Sequence, residues 1–174
     1  MEILSKGRIH IYTGNGKGKT TASIGLAVRA AGAGLKVCIY QFVKAKPSCE
    51  FKALKKISKI KVEQCGRGLI RGGKSSVADF KCASSGLVRA RRDIESGKYD
   101  LMILDEVNVA TDMGLLDVKD VLELIDIRRP SLELVLTGRG ADKRLIGRAD
   151  YVTRFEKIKH PFDKGVLARR GIEY

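Results

Sequence analysis

The sequence predicts an α/β fold with a mostly parallel sheet and helices on both faces, and three observations carry that expectation. Runs rich in β-branched residues alternate with helix-like stretches from one end of the chain to the other. Residues 100–104 read DLMIL, an apolar run of the kind that parallel sheets bury on both faces. A glycine-rich stretch, GNGKGK at residues 14–19, lies where the first β-rich run meets the first helical one.

Residues 8–13 (RIHIYT) form the first predicted strand. Residues 20–33, rich in Ala and Leu, form the first helix; Gly32 and Gly34 bracket its end, where glycine accepts a left-handed cap. A strand at 36–42 (KVCIYQF), a short helix at 51–57 and a strand at 60–65 follow. Residues 66–76 read GRGLIRGGKSS; four glycines and two serines without a period predict a mobile loop, of the length that serves as a lid or binding loop. A helix from Val77 or Ala78 to about Glu95 comes next, then the apolar strand at 100–104. A helix at 117–127 stops at Arg128, Arg129 and Pro130, and a strand at 132–137 (LELVLT) follows it. A short helix at 141–148, a strand at 151–155 and an irregular tail at 160–174 complete the chain. With no internal repeat and no low-complexity linker, a single domain over residues 1–174 is expected.

Composition narrows the function classes. The net charge of +14 selects anionic partners: nucleotides, nucleic acid or an acidic protein. The basic residues are spread along the chain, denser at 44–61 and 89–92, and read as a solvated surface. Only 6% of residues are aromatic and there is no Trp, which leaves little for base stacking, so nucleic acid is not the expected partner. No apolar run approaches the ~20 residues of a membrane helix. Residues 1–8 carry no signal-peptide pattern, so a cytoplasmic protein with no membrane partner is expected. Cys38, Cys49, Cys65 and Cys82 form no CxxC pair and only two histidines accompany them, which reads as reduced structural thiols and not as a zinc site.

Residues 13–21 read TGNGKGKTT, and Gly18-Lys19-Thr20 is the end of a Walker A motif. Glycines let backbone N–H groups approach phosphate oxygens without a Cβ clash. The helix that follows aims its partial positive charge at the same anion. The expected phosphate site is therefore Gly14, Asn15, Gly16, Lys17, Gly18, Lys19, Thr20 and Thr21. Lys19 adds a full charge and is expected to be exposed to ligand, outside the core. The Thr20 hydroxyl is placed to ligate Mg²⁺. One departure from GxxxxGK[ST] stands out. Thr13 occupies the position of the first glycine, and Gly14 follows it. Either the loop bends differently at its start, or the strand gains a residue.

Residues 101–106 read LMILDE, an apolar strand followed by acids in the Walker B manner. Asp105 falls at the carboxyl end of a buried strand, where open α/β sheets bind ligands. Asp105 or Glu106 is expected to hold Mg²⁺, directly or through water. Thr137-Gly138-Arg139 follows another buried strand, and Arg139 is a candidate for forked contact with phosphate oxygens. Loop and acids together make the expected fold P-loop NTPase-like, of the RecA-like type.

Taken together, the GNGKGKTT loop, the LDE strand end, the TGR that follows the next strand, and the closing HPFDKG and GIEY segments resemble the ATP:corrinoid adenosyltransferases of the CobA/CobO/BtuR type. The resemblance runs from Gly7 to Tyr174 and is weakest over residues 43–92. It implies transfer of the 5′-deoxyadenosyl group of ATP to Co(I) of a reduced corrinoid, cobalamin or cob(I)yrinic acid a,c-diamide, with release of triphosphate. It implies that residues 14–21 bind the triphosphate, that Lys19 neutralises it, and that Thr20 and Glu106 hold Mg²⁺ (or Mn²⁺). Arg29 and Arg139 match positions near the nucleotide. The resemblance also implies ATP bound in the sense opposite to ordinary P-loop enzymes, a homodimer, and a reduced flavoprotein as electron donor. Leu69, Arg71 and His160 are the candidate corrinoid contacts. Where some relatives carry an aromatic pair that packs on the corrinoid, this chain reads Gly68-Leu69-Ile70-Arg71 and offers no aromatic.

The same loop and acids suit three other readings. A conventional P-loop ATPase or kinase would form ADP. A nucleic-acid-dependent ATPase would show strong salt dependence. A sensing module with lapsed chemistry would bind ATP without turnover. The chemistry implied by the resemblance needs no general base, which suits a chain with only His10 and His160.

Overall fold

A computed structural model describes residues 5–44, 49–68 and 75–173. Its strands are β1 (Ile9–Thr13), β2 (Val37–Phe42), β3 (Ile60–Cys65), β4 (Leu101–Asp105), β5 (Glu133–Thr137) and β6 (Tyr151–Arg154). Its helices are α1 (Lys19–Gly32), α2 (Cys49–Leu54), α3 (Val77–Glu95), α4 (Val107–Asp112), α5 (Val118–Ile127) and α6 (Lys143–Ile146). The six strands form one sheet in the order β3-β2-β4-β5-β1-β6, and every pairing is parallel. All strands therefore end on the same edge, and β4 and β1 are separated there only by β5.

Side-chain alternation along the strands builds two cores. Cys38, Tyr40, Phe42, Met102, Leu104, Leu134 and Leu136 face a cluster completed by α3, α4, α5 and α6. Val37, Ile39, Leu101, Ile103 and Val135 face the opposite cluster, completed by Ala27 and Ala30 of α1 and by Phe51 and Leu54 of α2. Strands β2 and β4 are buried at every residue, which explains why they read as continuous apolar runs. Each fully buried Leu, Ile or Phe contributes roughly 1.5–3 kcal/mol through area removed from water. No helix among the described residues is long and apolar enough to cross a membrane.

Local signals set several boundaries. Ser76 opens α3 with a capping box: its hydroxyl accepts from Asp79 N–H, and the Asp79 carboxylate accepts from Ser76 N–H. Asp117 caps α5, and Asp142 starts α6 later than residue 141. Three expectations change. Helix α4 lies in a stretch to which the sequence reading assigns no element; Val107, Val109 and Thr111 lower its propensity, and burial of Val107 and Ala110 on one face imposes it. Strand β4 extends through Asp105, one residue beyond the predicted end. The tail contains a 3₁₀ turn, Pro161–Lys164, capped by the His160 ring. The predicted mobile loop is described only at its two ends, because residues 69–74 lie outside the described residues.

Candidate functional site

Strand β1 keeps Thr13, which pairs with Arg154 of β6, and the phosphate loop starts at Gly14 with φ 94°. The missing first glycine is thus a residue gained by the strand, with the turn displaced one position along. The loop closes at Gly18, whose φ of 114° places it as the N-cap of α1. No side chain caps that helix and no acid stands in its first turn, so its free N–H groups and partial positive charge are left for an anion.

Lys19 differs from expectation. It is 7% exposed, and its ammonium donates to the carbonyls of Gly14 at 2.7 Å and Gly16 at 2.8 Å. The side chain thus braces its own loop and keeps its third N–H for an anion. Burial lowers the Lys19 pKa most; the nearby carboxylate of Glu106 works against that, and Arg139 adds to the lowering.

The end of β4 supplies the acids and assigns them different surroundings. Asp105 is 1% exposed. Its Oδ1 accepts from Thr20 Oγ1 at 2.9 Å and Thr137 Oγ1 at 2.7 Å, and its Oδ2 accepts from Gln41 Nε2 at 2.9 Å. Glu106 has left-handed backbone, φ 61°, and its N–H donates to Thr137 Oγ1 at 3.0 Å. Such strain in a non-glycine residue is held only where its surroundings over-determine it. The Glu106 carboxyl is pushed above the usual carboxylate range, first by burial and then by the charge of Asp105, with Lys44, Lys19 and Arg139 pulling it back.

These groups line one cleft of about 580 Å³ at the carboxyl edge of the sheet. Of the predicted residues, Asn15, Gly16, Lys17, Gly18, Lys19, Thr20 and Thr21 line it from the loop, and Glu106, Arg139 and His160 from elsewhere. Gly14 and the buried Asp105 are not part of that lining. Arg29 is exposed well along α1 from the loop and does not reach the cleft wall. Leu69 and Arg71 lie outside the described residues. The His160 Nδ1 accepts from Phe162 N–H at 3.1 Å, so the ring is held in place where it lines the cleft.

Sequence reasoning missed several contributors. Gln41, a fully buried polar residue at the end of an apolar strand, was visible as an anomaly. Lys44 lines the cleft just past the end of β2. The chain from the end of β6 onward also returns to the loop: Gly16 N–H donates to the Phe155 carbonyl at 2.7 Å, and Lys17 pairs with Glu173 of the tail at 3.0 Å. No local signal in the sequence announces those two contacts.

Among the described residues no group of three or more His, Cys, Asp or Glu is placed to hold a metal. The donors in the cleft are instead hard oxygens. The Thr20 proton is committed to Asp105, which turns the hydroxyl lone pairs outward. The Glu106 carboxylate has no hydrogen-bond partner among the described residues. One hydroxyl and one or two carboxylates, with phosphate oxygens to complete the set, suit Mg²⁺, which keeps few protein ligands.

The family model described as "ATP:corrinoid adenosyltransferase BtuR/CobO/CobP" matches residues 5–174. A corrinoid adenosyltransferase of Sinorhizobium sp. is 33% identical over 97% of this chain and 81% of its own length. The corrinoid adenosyltransferase of Escherichia coli K12 is 32% identical over 97% of this chain and 86% of its own. A corrinoid adenosyltransferase of Salmonella typhimurium is 31% identical over the same shares.

Proposed function

This chain belongs to the ATP:corrinoid adenosyltransferase family and transfers the 5′-deoxyadenosyl group of ATP to the cobalt of a corrinoid, and we propose that the cleft above α1 is where it does so. One observation carries the proposal: an uncapped helix N-terminus, Lys19, Thr20, Glu106 and Arg139 converge on one polar cleft. The sheet order supports a RecA-like P-loop lineage, with one strand between the loop strand and the acid-bearing strand. The chain is read as one domain of this kind over residues 1–174.

The triphosphate of ATP seats on the N–H groups of residues 14–21, with Lys19 against its charge. Thr20 and Glu106 hold Mg²⁺, and Asp105 orients Thr20 from behind. Bound there, Mg²⁺ supplies Lewis-acid neutralisation of the triphosphate. Arg139 meets phosphate oxygens from the end of β5. In the transfer, the electron pair of reduced cobalt forms the Co–C5′ bond. The C5′–O bond to the α-phosphate breaks, and its pair leaves on the triphosphate. The negative charge that grows on the leaving group is met by donors fixed beforehand, which is the arrangement that lowers such barriers most. Neither histidine is needed as a base, because the nucleophile carries no proton. His160, which lines the cleft, is proposed as a corrinoid contact, and Leu69 and Arg71 are proposed as further ones on the family likeness alone. A homodimer and a reduced flavoprotein electron donor come with the family likeness and belong to the same proposal.

A single-turnover mixture of protein, ATP, Mg²⁺ and chemically reduced cobalamin tests the reading. Stoichiometric inorganic triphosphate with a light-sensitive adenosylated corrinoid is expected on anion-exchange analysis. ADP with unchanged cobalamin would return the cleft to a conventional hydrolase or kinase.

A further inference from the structure

Strand β2 ends in a turn that its sequence resists. Val43 has φ 66°, and Lys44 N–H donates back to the Phe42 carbonyl at 2.7 Å, a three-residue γ-turn. Left-handed backbone is an outlier for a β-branched residue. Among the described residues only Val43 and Glu106 combine a side chain with positive φ, and both stand at strand ends on the cleft edge. Strain of this kind persists only where surroundings impose it.

Here the clamp is visible. Gly68 N–H donates to the Val43 carbonyl at 2.9 Å, and Gln64 Nε2 donates to the Lys44 carbonyl at 3.0 Å. Gly66 lies so close that a Cβ there would sit 2.4 Å from Val43 C and 2.6 Å from Lys44 N. Two residues past β3 and one within it thus fix the turn.

The turn sends Lys44 over the cleft. Its ammonium lies 3.9 Å from Asp105 Oδ2, which is beyond hydrogen-bond range, and that oxygen already accepts from Gln41. Asp105 is the one carboxylate within 4 Å of it among the described residues. The strained turn therefore does not serve a close ion pair. It aims a cation at the cleft from the β2 side of Glu106, while Arg139 and Lys19 stand on the β5 and β1 side.

We propose that Lys44 is a further catalytic residue, a second ammonium that holds the departing triphosphate opposite Lys19, aimed there by the clamped turn at the end of β2. This rests on the reading of the cleft as the triphosphate seat. When the C5′–O bond breaks, the leaving group gains one negative charge relative to ATP, so a cation dedicated to that charge binds triphosphate in preference to ATP.

The experiment measures binding of inorganic triphosphate and of ATP, each with Mg²⁺ and without corrinoid, by calorimetry for the wild type, Lys44→Met, Lys44→Arg and Lys19→Ala. Lys44→Met is expected to weaken triphosphate at least tenfold and ATP less than threefold, with kcat reduced about 100-fold and KM for ATP little changed. Lys44→Arg, which keeps the charge, restores most of the triphosphate affinity. Because Lys44 is 39% exposed in its side chain, Lys44→Met is expected to fold, and its melting temperature verifies that. If Lys19→Ala loses triphosphate and Lys44→Met binds it as the wild type does, the role of Lys44 is overturned while the seat stands. If neither variant changes triphosphate binding, the seat itself is wrong and the inference falls with it.

Discussion

Thr20 donates its hydroxyl proton to Asp105 across 2.9 Å, which joins the first turn of α1 to the end of β4. The same Oδ1 also accepts from Thr137 at 2.7 Å, so the acid stitches three elements together while standing behind the cleft wall. Asp105→Asn is the informative change. Its NH2 faces either the two threonine hydroxyls, which must then give up the bonds they donate and turn to accept, or Gln41, whose amide must turn over to present Oε1. A cost on the order of 1–3 kcal/mol in stability is expected. Thr20 loses its fixed rotamer, so the Mg²⁺ concentration needed for half-maximal activity rises. Chemical denaturation with a parallel Mg²⁺ titration measures both. Wild-type stability together with wild-type Mg²⁺ dependence would show that the Thr20–Asp105 bond organises nothing.

Glu106 carries the opposite burden. Burial, and then the charge of Asp105, raise its pKa above the ordinary 4.5. For an acid whose folded pKa is raised, the penalty is absent below the unfolded value, grows between the two, and is full above the folded value. Glu106→Gln is therefore expected to melt higher than the wild type at pH 7.5. That gain should shrink as pH falls through the folded pKa and vanish below about 4.5. Activity moves the other way, with a loss of about 100-fold in kcat. Thermal melts of both proteins from pH 4 to 8 decide the matter; a variant less stable than the wild type at pH 7.5 rules out the stored repulsion.

How much of this was legible in the chain follows from which interactions are local. The apolar runs that become β2, β4 and β5 were readable because burial on both faces leaves no polar alternation to confuse them. The loop at residues 14–21 was readable because its glycines, lysine and threonine are contiguous. Helix α4 was not readable, because Val107, Val109 and Thr111 argue locally against it and only packing of Val107 and Ala110 decides. The place of Gln41 was hidden for another reason. It sits beside Asp105 only through the register of β2 on β4, which no single stretch encodes. The tail was read as irregular, and its secondary structure is slight. The contacts of Phe155 at Gly16 and of Glu173 at Lys17 span more than 130 residues of chain and leave no periodic trace.

Two glycines of the same segment should respond in opposite directions to one substitution. Gly25 lies inside α1 on its exposed side, and a Cβ built there meets nothing within 4 Å. Gly25→Ala removes backbone freedom from the unfolded chain and is expected to stabilise by about 0.5–1 kcal/mol, with ATP affinity unchanged. Gly16 is different. Its N–H donates to the Phe155 carbonyl at 2.7 Å, and a Cβ would stand 2.6 Å from Glu156 O and 2.8 Å from Phe155 C. Those are backbone atoms of the segment that continues β6, where Phe155 N–H in turn donates to the Thr13 carbonyl at 2.8 Å. They cannot yield by a rotamer change, so either the loop or that segment must move. Overpacking of this kind costs about 1–3 kcal/mol. The displaced loop also loses the carbonyl of Gly16 as an acceptor for Lys19, now at 2.8 Å. Gly16→Ala is therefore expected to lower the melting temperature and weaken ATP binding at least tenfold, while Gly25→Ala raises the melting temperature and leaves binding alone. Calorimetric titration with ATP and Mg²⁺, beside thermal melts of both variants, makes the comparison. If Gly16→Ala binds ATP as tightly as Gly25→Ala does, the segment that continues β6 is not what shapes the phosphate loop.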